Sequence, residues 1–260
     1  MSALHDALGI LLPAMIAGVL VVLSHVPLGL QVLARGIVFI DLAVAQVAGL
    51  GVILAHALGL AGEGWGTQAA AVVAALLGSL LLTWTERRRP EVQEALIGVL
   101  FVLASTAQIL LLANDPHGGE DLKDLLAGQI LWVSASQLWR AAALTALFVL
   151  VWWRWREQVG RAGFYVLFAL VVTVSVQMVG VYLVFSSLIV PALAVYRFPA
   201  RQRLGLGLAL SVVSYGAGLL LSALLDLPAS PMIVWTMALA GTAIHLLAPR
   251  RQGEPVHGVV

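Results

Sequence analysis

The chain has 260 residues, of which 61% are hydrophobic and 10% charged, with a net charge of +1 and a mean hydropathy of +1.01. Soluble domains carry about 25% charged residues, so the composition excludes an ordinary water-soluble protein, and the near-zero charge gives no basic field for nucleic acid. There is no cysteine, which excludes disulfides, thiolate metal sites and cysteine nucleophiles.

Apolar runs near the roughly 20 residues needed to cross a bilayer fall at residues 7–27, 36–58, 66–85, 92–113, 137–154, 204–225 and 231–248, with a longer one at 163–196. They predict an all-α, polytopic membrane helix bundle of about 8 transmembrane helices, a single membrane domain over residues 1–251, and a disordered tail at 252–260. His5 and Asp6 precede the first run where a signal peptide has a basic region, so that run reads as a retained span.

Basic clusters set the orientation. They occur at Arg87–Arg89, Arg154–Arg161, Arg197–Arg203 and Arg250–Arg251, and short Arg-rich loops stay on the cytoplasmic side. The acidic stretch 114–124, with Asp115, His117, Glu120 and Asp121, then lies outside as a solvated loop. Residues 163–196 are flanked by two inside loops, so one crossing is forbidden. That stretch must pass twice as short or broken helices around Gln177–Gly180, enter and return, or leave one basic loop on the wrong side.

The second span carries the chemistry. Asp41 is the only acid between Arg35 and His56, and a charge at the bilayer centre costs about 2.5 to 3.5 kcal/mol, which makes it a functional candidate. Arg35 is six residues away, so Asp41 could instead reach a wet edge or pair with a neighbouring helix. Asp41 shares a helical face with Ala45, Ala48 and Val52, and Gln46, Gly49, Ile53 and His56 form a second face. Small residues on one side and polar ones on the other predict that this helix meets protein on both. Gln108, Ser175, Gln177, Ser186 and Ser187 read as interhelical hydrogen-bonding groups.

Four blocks, GIVFIDLAVAQVAGLGV at 36–52, EALIGVLFVLAS at 94–105, LLAGQILWVSASQL at 125–138 and VGVYLVFSSLIVPALAVYRF at 179–198, stand in one order, followed by a weaker one at 214–234. In that order the chain resembles the membrane-spanning permease subunit of bacterial ATP-binding-cassette importers for zinc, manganese or iron(II). The resemblance implies a multi-pass protein of the bacterial inner membrane that works as a homodimer. Its partners would be a cytoplasmic ATPase and an extracytoplasmic metal-binding protein. It implies transport of a divalent metal, zinc or manganese foremost, with no stably bound cofactor. Relatives read Gly-Asp-x-Leu-x-His in the second span. Here Asp41 matches, Ile40 replaces the Gly, and Ala45 replaces the His.

The candidate metal-route residues are Asp41, Gln46 and His56, the last about 22 Å from Asp41 at ~1.5 Å per residue and read either as an entry ligand or as an interfacial residue at a helix end. Residues 191–203 are the candidate contact with the ATPase, through Pro191, Arg197, Arg201 and Arg203. By resemblance a short coupling helix lies there, and a basic, Pro-punctuated inside loop fits a docking role or a plain membrane anchor. No GxxxxGK[ST] stretch occurs, so the chain is not expected to be an enzyme, and ATP hydrolysis falls to a separate subunit. An ion-coupled secondary transporter using Asp41 as its cation site is the competing class, usually marked by paired internal repeats. An intramembrane enzyme would show HExxH or paired buried carboxylates, and neither is present.

Overall fold

A computed structural model describes residues 2–58, 65–112, 118–155 and 160–248. The sequence readings that fall on Asp115, His117, Arg250, Arg251 and the tail lie outside these residues. Among the described residues ten α-helices follow one another: α1 Ser2–Arg35, α2 Ile40–Ala57, α3 Trp65–Arg88, α4 Gln93–Leu112, α5 Gly118–Ala127, α6 Ala135–Trp155, α7 Arg161–Val179, α8 Val181–Val195, α9 Ala200–Leu225 and α10 Ala229–Leu247. There is no strand among the described residues. Eight of the helices are long and apolar enough to cross a membrane, all but α5 and α8.

Local chemistry sets the helix ends. α1 stops where Gly36 adopts φ +69°, and the N–H groups of Gly36 and Ile37 donate back to the carbonyls of Leu33 and Val32, the double bond of a Schellman cap. The Glu94 carboxylate then accepts the Phe39 N–H at 3.2 Å, so a residue of α4 satisfies a free donor at the start of α2. At α6, Ser134 Oγ accepts the Gln137 N–H and Gln137 Oε1 accepts the Ser134 N–H, a reciprocal capping box.

The stretch 163–196 is two helices broken at Gly180. That residue sits at φ +83°, a conformation open to glycine and strained for any other residue. α7 begins with Phe164 under the Arg35 guanidinium, 4.0 Å from the ring centre. α8 ends with Ala194 and Val195 in a small buried cluster against which Leu30 packs. Both helices thus return to the end of α1 that carries Arg35, which puts the basic segments on either side of this stretch at one end of the bundle. This matches the first of the three sequence alternatives, two short helices broken around Gln177–Gly180.

The other end holds α5, which turns an expected acidic loop into a helix. Leu122, Leu125 and Leu126 are partly buried on it while Lys123 and Asp124 are exposed, an amphipathic pattern that anchors one face. Beyond it, Gly128 and Gly180 meet backbone to backbone, and a Cβ on either would overlap the other's main chain. α1 and α8 cross as closely at Gly29, where a Cβ would overlap the Leu188 carbonyl. Small residues let helices approach this way inside a membrane.

Candidate functional site

α2 lies at the centre, packed against α3, α4, α7 and α8. Its own sequence explains this position: Ala43, Ala45, Ala48, Gly49 and Gly51 leave room for neighbours, and Gly51 lies so close to Ala70 and Ala74 of α3 that an added Cβ would clash at 2.6 to 2.7 Å.

At its C-terminal end α2 borders a cavity of about 650 Å³. His56, Thr67, Asp124, Gln129, Gln137 and Gln177 supply its polar lining, from α2, α3, α5, the turn after it, α6 and α7. Gln129 Nε2 donates to Asp124 Oδ2 at 2.6 Å, which orients that carboxylate. Next to Gly49 lies a buried amide pair. Gln108 Nε2 donates to both the Gln46 carbonyl, at 2.7 Å, and Gln46 Oε1, at 2.8 Å. The carbonyl can only accept, so the Gln108 nitrogen must face it, and Gln108 Oε1 is left buried without a partner.

Asp41 sits in the first turn of α2, 1% exposed, and its Oδ1 has no hydrogen-bond partner. Burial of this kind does not match a snorkelling side chain. A carboxylate enclosed without full pairing is costly and marks a place where an ion or proton can be received. It does not line the 650 Å³ cavity. The three route candidates are therefore spread along one helix: His56 exposed at the mouth, Gln46 buried against Gln108, and Asp41 near the arginine-bearing end. No group of three or more His, Cys, Asp or Glu side chains that could hold a metal occurs among the described residues.

The coupling stretch is only partly accessible. Pro191 is buried inside α8, so it cannot touch a partner, and α8 runs through it to Val195 with no separate short helix before α9. Arg201 is exposed and Arg197 and Arg203 are half-buried. Arg203 Nε donates to the Phe198 carbonyl at 2.8 Å, and Tyr196 stacks on His245 of α10 with ring centres 6.3 Å apart. The turn is thus braced from two sides. Sequence reasoning passed over Asp124, Gln129, Gln137 and Thr67, whose isolated polar positions form a site only after the helices assemble.

A polytopic bundle with a polar cavity at one end, a buried carboxylate in its central span and a braced basic turn at the other end defines a membrane transport protein. Residues 7–160 and 157–247 match the ABC 3 transport family, and the chain belongs to that family. It is similar to the manganese transport system membrane protein MntC of Halalkalibacterium halodurans, 23% identical over 92% of this chain and 87% of that protein. It is also similar to the high-affinity zinc uptake system membrane protein ZnuB of Haemophilus influenzae, 24% identical over 86% and 92%. Among solved structures, PsaBC from Streptococcus pneumoniae in complex with Fab shares the fold, with a TM-score of 0.78 and 22% identity over 96% of this chain and 98% of that one.

Proposed function

We propose that this chain is the membrane permease of an ATP-binding-cassette importer that carries a divalent metal ion, zinc or manganese, across the bacterial inner membrane. The family match over both halves of the chain carries the reading, and the manganese and zinc relatives supply the substrate class. The permease works as a homodimer with a cytoplasmic ATPase and an extracytoplasmic metal-binding protein. The exposed part of the turn between α8 and α9, with Arg197, Arg201 and Arg203, is the ATPase contact.

α2 is the spine of the route. His56 meets the cargo at the mouth, Gln46 and Gln108 form a neutral amide gate, and Asp41 supplies the negative charge that offsets the cost of a cation inside the membrane. Three separated weak positions suit passage better than one closed tetrahedral site, which would hold the ion. With alanine at position 45, Asp41 offers oxygen alone, a hard donor with little selectivity among divalent ions.

The test is reconstitution into lipid vesicles with a partner ATPase and an extracytoplasmic metal-binding protein. Zinc or manganese is expected to raise ATP hydrolysis and to accumulate in the vesicle lumen. Hydrolysis and uptake indifferent to both metals would refute the substrate assignment.

A further inference from the structure

α1 and α6 pack side by side, joined where the Thr145 hydroxyl donates to the Leu20 carbonyl at 3.3 Å. Between them runs an open groove of about 450 Å³, walled by Leu20 and Leu23 of α1 and by Ala142, Ala146 and Leu150 of α6. Leu23, Ala146 and Leu150 are exposed, so the groove opens on the outer surface of the bundle. Thr145 is the only polar side chain in it, and its hydroxyl is already committed. Such a groove offers nothing to an ion or an ordered water, each of which needs polar partners. Its occupant is hydrocarbon.

Its dimensions are those of a lipid chain. Ala142, Ala146 and Leu150 form one i, i+4 row of α6, and the next residue in that row is Arg154, which is exposed. At ~1.5 Å per residue the row runs about 18 Å from Ala142 to Arg154, close to the ~15 Å of hydrocarbon in half of a bilayer core. The groove itself, from Ala142 to Leu150, is about 12 Å long, so its volume corresponds to a channel ~7 Å wide, narrower than an α-helix at about 10–12 Å. A single acyl chain, whose carbons sit about 3.5–4.0 Å from their neighbours, fits where a partner helix does not.

Charge supplies the other half of the match. From Arg154 to Arg161 the sequence carries three arginines against one glutamate, and Arg161 opens α7 exposed at the same end of the bundle. α6 has no acidic residue, and the one acid of α1, Asp6, is at the opposite end of that helix. Trp152, two residues before Arg154, stacks on Phe148 with ring centres 5.4 Å apart. Tryptophan at this place in a span marks the level of the lipid headgroups.

We propose that the groove between α1 and α6 is a site for an anionic phospholipid of the cytoplasmic leaflet, with one acyl chain along Ala142, Ala146 and Leu150 and the phosphate held by Arg154 and Arg161. The lipid completes a contact that the protein alone leaves thin: 17% of the α6 span is buried. α6 begins at the cap that holds Gln137 beside the polar cavity, so a lipid that fastens α6 to α1 also steadies one wall of that cavity. The site does not depend on the cargo, and the proposal stands apart from the divalent-metal reading.

The experiment measures lipid retention by the full-length chain. The protein is transferred from mixed vesicles of phosphatidylglycerol and phosphatidylcholine with the same acyl chains into detergent, and the bound lipids are counted by native mass spectrometry. Phosphatidylglycerol is expected to be retained about tenfold over phosphatidylcholine, from the two arginines at its phosphate. Arg154→Gln should lower that preference about fivefold and Arg154→Lys should keep most of it, while Arg154→Gln combined with Arg161→Gln brings it to parity. Ala146→Phe fills the groove and leaves both arginines in place, so it should abolish retention of both lipids. Val99→Phe, on the exposed face of α4, should change nothing. Soluble glycerophosphoglycerol, the same headgroup without chains, should not displace the lipid. Equal retention of the two lipids by the unaltered chain would overturn the proposal, as the mark of bulk lipid filling a surface groove. Displacement by the soluble headgroup would overturn it as well, since the groove would then play no part. A preference that survives the double arginine substitution or Ala146→Phe would put the lipid elsewhere and end the proposal in the same way.

Discussion

α2 and α4 lie side by side and both are apolar enough to cross a membrane, yet 56% of the α2 span is buried inside the protein against 17% of α4. The more hydrophobic of the two is α4, the more exposed one. In water the ranking would be the reverse. Here lipid is as apolar as leucine, so hydrophobicity gives no reason to turn inward, and close packing and interhelical hydrogen bonds decide the matter instead. α2 is central because it carries Asp41, Gln46 and a series of alanines and glycines. α4 turns Val99, Val102, Leu103 and Leu110 outward and keeps Gln93, Ile97, Ala104 and Gln108 for the interior.

The contrast is sharpest at glycines. Gly180→Val would place a branched side chain in a left-handed conformation against the Gly128 backbone, at a cost above about 4 kcal/mol. We expect loss of the folded, monodisperse protein on size-exclusion chromatography. Gly98→Val on α4 has nothing within 4 Å of its Cβ and should elute as the native chain, within about 0.5 kcal/mol. Equal behaviour of the two variants would break the comparison. Next in size is Asp41→Asn, which keeps shape but removes charge. Uptake in vesicles should fall about tenfold or more while the assembled complex stays intact, because the desolvated cation loses its offsetting charge. Normal uptake would reduce Asp41 to a packing residue.

Smaller effects probe the arginine-bearing end. Changing Arg197 and Arg201 to Ser should lower co-purification of the ATPase roughly two- to tenfold, as for rim charges at an interface, with no change in the yield of the permease. Unchanged co-purification would move the contact elsewhere. The smallest effect is Ser187→Ala, which deletes the 2.9 Å hydrogen bond to the Tyr215 hydroxyl between α8 and α9. Thermal unfolding should shift by an amount equivalent to about 0.6 kcal/mol. A much larger loss would mean that this pair, and not close packing, holds the two helices together.

Much of this arrangement was legible in the sequence. Span lengths marked the helices, and the arginine loops excluded a simple single crossing at 163–196, where Gly180 breaks the chain into two helices. Asp41 and Gln46 announced that α2 is interior. Ends were harder: the apolar run at 7–27 is part of α1, which runs 34 residues through Pro13 and Pro27 to Arg35, since a membrane helix tolerates proline when neighbours satisfy the freed backbone groups. Pro191 misled, read as part of a docking loop and found buried in α8. The cavity was legible only at its mouth, where His56 stood out as a candidate. Asp124, Gln129, Gln137 and Gln177 come from α5, the turn after it, α6 and α7, and nothing in local spacing records that these segments meet His56 and Thr67 around one cavity.

Gly180 has a mechanical meaning beyond its geometry. It locks α8 at one end to the rim of the cavity, backbone against the Gly128 backbone, and 15 residues later the same helix delivers the Tyr196–Pro199 turn at the opposite face. At ~1.5 Å per residue this is a push-rod of about 22 Å. Its tip and its seat at the rim belong to a single element, so under the proposed ATPase contact a displacement of the turn would reach the cavity wall through one helix, with no intervening joint except the proline at 191.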